Sequence, residues 1–172
     1  MREEEVQQNL MQPVWDVIRE GNIGKLRRLL RERRAELKGK LDTTDPTTQV
    51  HETALIMCIF GDFRAGVKLL LSEGASIDAT TGLHGFTALF IAAQEGFAKL
   101  VRILLSHGAS IDLASTQDCT PLSIAIQHNR PAVVSLLLEG GANPDLATND
   151  GRTALFIAAQ QGHPEVVGLL LE

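Results

Sequence analysis

The sequence predicts an all-α solenoid, a stack of short antiparallel helix pairs joined by hairpin fingers. Three observations predict it. The octapeptide T-A-L-F-I-A-A-Q occurs at 87–94 and again at 153–160, and T-P-L-S-I-A-I-Q lies midway at 120–127, so that Thr87, Thr120 and Thr153 follow one another at 33 residues. A fixed period of this length marks repeated supersecondary units rather than one conventional core. Aromatic residues make up 4% of the chain, with no tyrosine, against 44% hydrophobic residues overall. That is the composition of thin layers packed on Ala, Leu, Ile and Val. Each period also carries two apolar runs at helical spacing, each closed by a turn residue. In such an architecture function lies on a long surface rather than in a cleft.

The threonine that opens each period is the natural reference, and the units open at Thr53, Thr87, Thr120 and Thr153. Apolar residues follow two places on (Leu55, Leu89, Leu122, Leu155) and four places on (Met57, Ile91, Ile124, Ile157). Small residues come five places on: Cys58, Ala92, Ala125 and Ala158. This is one buried stripe of a short helix, and its small members let a neighbouring helix approach closely. Nine places on, Gly96 and Gly162 suit the left-handed conformation of a helix C-cap. Asn129 is the usual non-glycine substitute there, and Asp62 a weaker one. A second helix carries the apolar runs 67–71, 101–105, 134–138 and 167–171. It ends at Gly74-Ala75, Gly108-Ala109 and Gly141-Ala142. The connectors that follow are rich in Thr, Asn, Asp and Gly, the material of a tight hairpin.

A degenerate, capping-like unit precedes these at 12–46. Gln12-Pro13-Val14-Trp15 stands where the threonine tetrapeptide would be, Val17 at the small-residue position and Gly21 at the closing turn. Leu26, Leu29 and Leu30 make its second helix. The 41 residues from Gln12 to Thr53 leave room for an extra helical turn and a loop. Residues 31–37 are expected to lengthen the basic helix, and T-T-D-P-T-T at 43–48 to end it. Residues 1–11 form a polar leader, and the four clear units occupy 47–80, 81–113, 114–146 and 147–172. The last stops at Glu172 directly after Leu169-Leu170-Leu171, without the Gly-Ala turn or a polar cap. Solenoids normally protect their terminal apolar face. The expectation is therefore an N-terminal fragment of a longer protein, or self-association through the uncapped last unit.

With the turn, two antiparallel helices and extended finger in place, residues 47–172 resemble the ankyrin repeat family. T-P-L-S at 120–123 and T-A-L-F at 87–90 and 153–156 are similar to the family's T-P-L-H, and the glycines, the leucine runs and Gly-Ala keep family register. The family histidine, three places after the threonine, ties neighbouring turns together by hydrogen bonds. Here that position holds Ile56, Phe90, Ser123 and Phe156, so those bonds are expected to give way to apolar packing. The resemblance implies a non-catalytic protein–protein interaction module, a scaffold or adaptor, that binds a protein or peptide along its concave groove and fingers. The runner-up is a targeting or inhibitory arm of a larger enzyme whose catalytic domain lies beyond residue 172.

Charge and chemistry agree with a binding role. The net charge of −5 conceals a basic segment, residues 19–40, with a net of +6, and an acidic body, residues 41–172, with a net of −8. An acidic body is a poor surface for nucleic acid, and the bland reading of the basic segment is a solvated helix face. Residues 1–12 lack the apolar core of a signal peptide, and no apolar run has the length of a membrane span. An intracellular, cytoplasmic protein without membrane contact is the reading. Two cysteines, Cys58 and Cys119, make neither a disulfide framework nor a zinc site. The five histidines scatter through the repeat frame without metal-binding spacing. Neither a catalytic residue nor a metal or cofactor is expected.

The candidate partner-binding residues come from the repeat frame. Seven places after each threonine stand Phe60, Gln94, Gln127 and Gln160; eight places on, beyond Gly61, stand Glu95, His128 and Gln161. In ankyrin repeats these positions close the first helix on the concave side. Glutamines supply both donors and acceptors to an extended polypeptide, although glutamine is also simply a soluble helix residue. The fingers contribute Leu83, His84, Phe86, Gln117, Asp118, Asn149 and Arg152. Apolar Leu83 and Phe86 on a finger either serve a partner or, for Phe86, pack down on the adjacent finger.

Overall fold

A computed structural model describes residues 3–45 and 52–172. Residues 46–51, which hold half of the 43–48 loop, the start of the 47–80 unit and His51, lie outside the described residues. The described chain is helical apart from one two-stranded ladder, and it divides into two compact units, 1–83 and 84–172.

The first unit opens with α1 (Glu3–Arg19), which runs without a break through Pro13 and across position 12. Met11, Val14, Trp15 and Ile18 are buried, the i, i+3, i+4, i+7 face of an amphipathic helix. The expectation that Val17 fills a buried small-residue position is not met. Val17 sits beside that face and is only half-buried, because the helix turns Met11, Val14, Trp15 and Ile18 toward the core. Gly21, in the left-handed region at φ 65, leads into α2 (Ile23–Glu32), which buries Leu26 and Leu30. Asn22 caps α2 by accepting the Lys25 N–H at 3.0 Å. Nor do residues 31–37 lengthen this helix. It breaks at Arg33 (φ −111, ψ 20), and the separate turn α3 (Arg34–Leu37) redirects the chain so that Leu37 and Leu41 are buried. The ladder pairs β1 (Thr44–Asp45) antiparallel with β2 (Glu52–Thr53). The pair α4 (Ala54–Phe60) and α5 (Arg64–Ser72) completes the unit.

The second unit contains three helix pairs: α6 (Ala88–Glu95) with α7 (Ala98–Ser106), α8 (Pro121–Gln127) with α9 (Pro131–Glu139), and α10 (Ala154–Gln160) with α11 (Pro164–Leu171). First helices stack on first helices, α6 on α8 on α10, and second on second, α7 on α9 on α11. Ala92, Ala125 and Ala158 have no exposed surface, as the repeat frame predicts for the positions where helices meet.

The opening threonines are N-caps. Their backbone is extended, and the hydroxyls of Thr53, Thr87 and Thr120 accept the N–H three residues on, from Ile56 (3.3 Å), Phe90 (3.1 Å) and Ser123 (3.2 Å). Each satisfies one of the orphan donors of a short helix. Asp62, Gly96, Asn129 and Gly162 close the first helices with φ between 45 and 79, as expected of all four. The second helices α5, α7 and α9 are each closed by their Gly-Ala. The alanine N–H reaches back to Leu70 at 3.0 Å, Leu104 at 3.1 Å and Leu137 at 2.9 Å, the long-range bond of a glycine-terminated helix.

Apolar packing replaces the family histidine at Ile56 and Phe90, which are 0% and 2% exposed. It does not at Ser123, where a capping box forms instead. The Ser123 hydroxyl accepts the Thr120 N–H at 2.8 Å. Nor does it at Phe156, which is 52% exposed together with Leu155. The fingers before Thr120 and Thr153 are turns without strands, each held by two backbone bonds: the Ser115 N–H to Cys119 and the Asp118 N–H to Ser115 (both 3.0 Å), and the Thr148 N–H to Arg152 (3.0 Å) and the Gly151 N–H to Thr148 (2.7 Å).

One device recurs in both units. After the second helix an aspartate carboxylate accepts a backbone N–H from the following repeat: Asp42 from Ser76 at 2.8 Å, and Asp112 from Asn143 at 3.1 and 3.2 Å. The degenerate first unit thus keeps the clip although its helices have drifted from the pattern.

Two stability predictions follow from these contacts. Gly66 stands inside α5 where the sister helices carry Leu100, Val133 and Val166. A Cβ there would lie 2.4 Å from the Phe63 ring and 2.9 Å from the Cys58 sulfur. Although alanine is the better helix former by about 1 kcal/mol, Gly66→Ala is expected to destabilise on balance, since overpacking costs ~1–3 kcal/mol. An unchanged or higher urea midpoint would refute it. Thr120→Ala should cost about 1 kcal/mol, the usual worth of an N-cap. Thr153→Ala should cost less, because Thr153 makes no side-chain cap bond. Equal losses in the same assay would contradict the assignment.

Candidate partner-binding groove

In the second unit the repeat register lays three kinds of side chain along one open groove of about 420 Å3. Residues directly before the threonines (Phe86, Cys119 and Arg152) line it from the base of the fingers. Phe90, Ile124, Gln94 and Gln127 line it from the first helices, and Ser115, Gln117, Thr148, Asn149 and Asp150 from the fingers. All recur because the threonine cap fixes where the finger ends and the helix begins.

One end is aromatic. Phe86 stacks on Phe90, with centroids 4.5 Å apart and planes 5° apart, and on its other side meets the His84 ring at 5.2 Å and 25°. Such offset stacks contribute ~0.5–1.5 kcal/mol beyond buried area. Phe86 therefore packs on the helix of its own repeat rather than standing free in water or lying on the adjacent finger. The fingers are joined separately, since the Thr116 N–H and hydroxyl both donate to the His84 carbonyl, at 3.1 and 3.2 Å.

The other end is polar. Arg152 is paired with Asp150 and reaches the Gln160 amide oxygen at 3.5 Å. Hydrogen bonds from Arg152 and from the Thr148 hydroxyl hold the Asp150 carboxyl down to about 2, so the pair stays ionised through any physiological pH. The Arg152 Nε is buried and has no acceptor among the described residues. A groove residue thus keeps an open donor, a state that native proteins rarely leave unanswered. Between the two ends, Gln94 donates to Glu95 at 2.9 Å, and the Gln94 carbonyl accepts from Arg130 Nε at 3.0 Å. Arg130, which sits over Gly96, thereby satisfies a last-turn carbonyl of α6 from the next repeat.

Neither thiol is activated for nucleophilic chemistry. Burial pushes Cys58 up to about 12. Burial also raises Cys119, against smaller opposing effects of its Ser123 hydrogen bond and the Arg152 charge. A nucleophilic cysteine needs the opposite shift. Among the described residues no group of three or more His, Cys, Asp and Glu is placed to hold a metal ion.

Of the candidate residues, Phe86, Gln94, Gln117, Gln127, Asn149 and Arg152 are brought together in this groove. His84, Glu95 and Gln160 each contact one of these six. His128, Asp118 and Gln161 do not line it. The His128 ring turns back to the Ile124 carbonyl at 3.2 Å, Gln161 meets His163 at 3.1 Å, and Asp118 is the left-handed tip of its finger at φ 52. Phe60 and Leu83 belong to the first unit, where they are 46% and 63% exposed. Sequence reasoning did not assign Phe90, Ser115, Cys119, Ile124, Thr148 or Asp150 to the site. The place directly before each threonine was the usable signal, since it holds a groove residue in every repeat of this unit.

Residues 14–115 and 111–172 match the family model for ankyrin repeats (3 copies). The chain belongs to the ankyrin repeat family. Ankyrin repeats are generally protein–protein interaction modules, and the family is typically non-catalytic. No curated protein matches the chain. No described helix is long and apolar enough to cross a membrane.

The aromatic stack separates two residues of the same finger. Phe86→Ala is expected to destabilise by ~1–3 kcal/mol, from lost burial and lost stacking. Leu83→Ala should stay within about 0.5 kcal/mol, as surface substitutions do. Denaturant unfolding of the two variants checks this, and a Leu83→Ala loss as large as that of Phe86→Ala would contradict the packing described.

Proposed function

We propose that the second unit of this ankyrin-repeat protein binds an extended segment of a partner protein in the groove between its fingers and first helices, as a non-catalytic scaffold or adaptor. The observation that carries the reading is the convergence of Gln94, Gln127, Asn149 and Gln117 on one open groove bounded by an aromatic stack and an arginine with a spare donor. Primary amides offer donors and acceptors at once and so match the alternating N–H and C=O of an extended backbone. Phe86 gives an apolar side chain something to pack on. Among the described residues the one cation lining the groove, Arg152, is already paired with Asp150, which disfavours a polyphosphate ligand such as nucleic acid.

A photo-reactive residue placed at Gln127 should cross-link the partner in cells, whereas one at Arg102, exposed on α7, should not. Changing Gln94, Gln127 and Gln160 together to Glu should abolish binding of the captured partner while leaving the helical circular dichroism unchanged. Cross-links of equal yield from Arg102, or affinity preserved within about threefold (under 1 kcal/mol) in the triple variant, would exclude the groove as the site.

A further inference from the structure

The first unit carries a second surface, independent of the groove. Its α2 buries Leu26 and Leu30, which turns Arg27, Arg28 and Arg31 outward, and α2 lies beside α5. Four cations of the basic segment reach a carboxylate. Arg19 pairs with Asp16 at 2.9 Å, Lys25 with Glu20 at 2.7 Å, Arg28 with Glu32 at 2.8 Å and Arg34 with Glu73 at 3.3 Å. On α5, Arg64 pairs with Asp62 at 3.4 Å. Among the described residues Arg33, Lys38 and Lys40 lack a carboxylate partner, as do the exposed Arg27, Arg31 and Lys68.

These three are not scattered. Arg27 from α2 and Lys68 from α5 flank one shallow depression of about 290 Å3, which Ile23, Ala65 and Leu69 also line. Arg27 and Arg31 flank a second, of about 260 Å3, which Gly24 and the paired Arg28 and Glu32 also line. Arg27 borders both depressions, which together make the candidate trough on this face. Ile23, Arg27 and Arg31 stand at successive i, i+4 positions, about 5–6 Å apart at Cβ. Apolar contacts between cations from two helices differ from a merely solvated charge run, which has no shape to offer.

We propose that this trough docks an acidic amphipathic segment of a partner protein. The partner's carboxylates, spaced one helical turn apart, meet Arg27, Arg31 and Lys68, and its apolar side chains lie on Ile23 and Leu69. Guanidinium groups favour such carboxylates through forked hydrogen bonds. The observations favour a protein over a lipid surface. Ile23 and Leu69 are half-buried rather than protruding, three cations give weak lipid attraction, and the chain as a whole is acidic, at −5. A bounded trough selects by shape, whereas an anionic membrane needs only charge density.

The test uses a fluorescently labelled helical peptide of alternating Glu and Leu turns, read by anisotropy against the full chain. A Lys-and-Leu peptide of equal length and vesicles containing phosphatidylserine serve as comparisons. The acidic peptide is expected to bind, and to weaken several-fold between ~0.05 and ~0.3 M salt as screening shortens the reach of its charges. Combined Arg27→Glu, Arg31→Glu and Lys68→Glu should weaken it at least ~tenfold. Reversal of two exposed cations elsewhere, Lys99→Glu with Arg102→Glu on α7, should change it less than ~threefold. Circular dichroism confirms that both variants stay folded. The proposal is overturned if the acidic peptide does not bind or the two variants weaken it alike, the latter showing a net-charge effect. Binding of the vesicles in place of the peptide overturns it as well.

Discussion

The close approach of consecutive helices is the constraint on which the rest of the molecule depends. In the second unit it is set by Ala92, Ala125 and Ala158, which have no exposed surface. In the first, Cys58 faces Gly66 so tightly that a single added methyl would lie 2.9 Å from its sulfur. Helices of seven to nine residues are far too short to persist alone. The first helices persist because each opens at a threonine and closes at a left-handed residue, and both layers persist because small side chains let them touch. Packing at this density transmits any change in volume, so the tolerated residues at these positions are few.

The groove is a by-product of the same arrangement. Once the threonine cap and the turn are fixed, the residue before the cap and the residue seven places after it must recur in register. In the second unit these are Phe86, Cys119 and Arg152 on one side and Gln94 and Gln127 on the other. A surface built this way can vary its chemistry from repeat to repeat without disturbing the frame. It is aromatic where Phe86 meets Phe90 and charged where Arg152 meets Asp150. That separation of framework from chemistry is what suits the fold to recognition rather than to catalysis, which needs several groups brought to one point.

Ties between repeats are made chiefly by backbone and by local charges rather than by the family histidine. Asp42 and Asp112 clip the N–H of the next repeat, Arg130 answers the last-turn carbonyl of α6, and Thr116 holds the His84 carbonyl. Each satisfies a backbone group that the short helices and turns would otherwise leave open. The loss of the histidine therefore leaves the stack bonded, though along different lines.

The periodic features were legible in the sequence because they are local. A threonine cap, a left-handed glycine or asparagine and an apolar stripe depend on residues only a few places apart, and they were found where the 33-residue frame puts them except in the last unit, where Leu155 of the expected buried stripe is 41% exposed and Thr153 makes no side-chain cap bond. Asp62 and Asn129, at φ 45 and 51, show that even the non-glycine turns could be read. Aperiodic features were not. Trp15, buried completely, takes the place that spacing assigned to Val17, and the chain breaks at Arg33 because Leu37 and Leu41 must reach the core. Whether Phe86 was a free contact or a packing residue depended on a ring three places beyond its cap and could not be read from composition. Likewise, which cations of the basic segment find a carboxylate is decided by side chains that meet only after α2, α3 and α5 have packed. The sequence determined the repeat, its period and its turns. Only the tertiary structure decided which exposed positions share a groove and which charges remain unpaired, because both depend on distances between residues from separate helices and fingers.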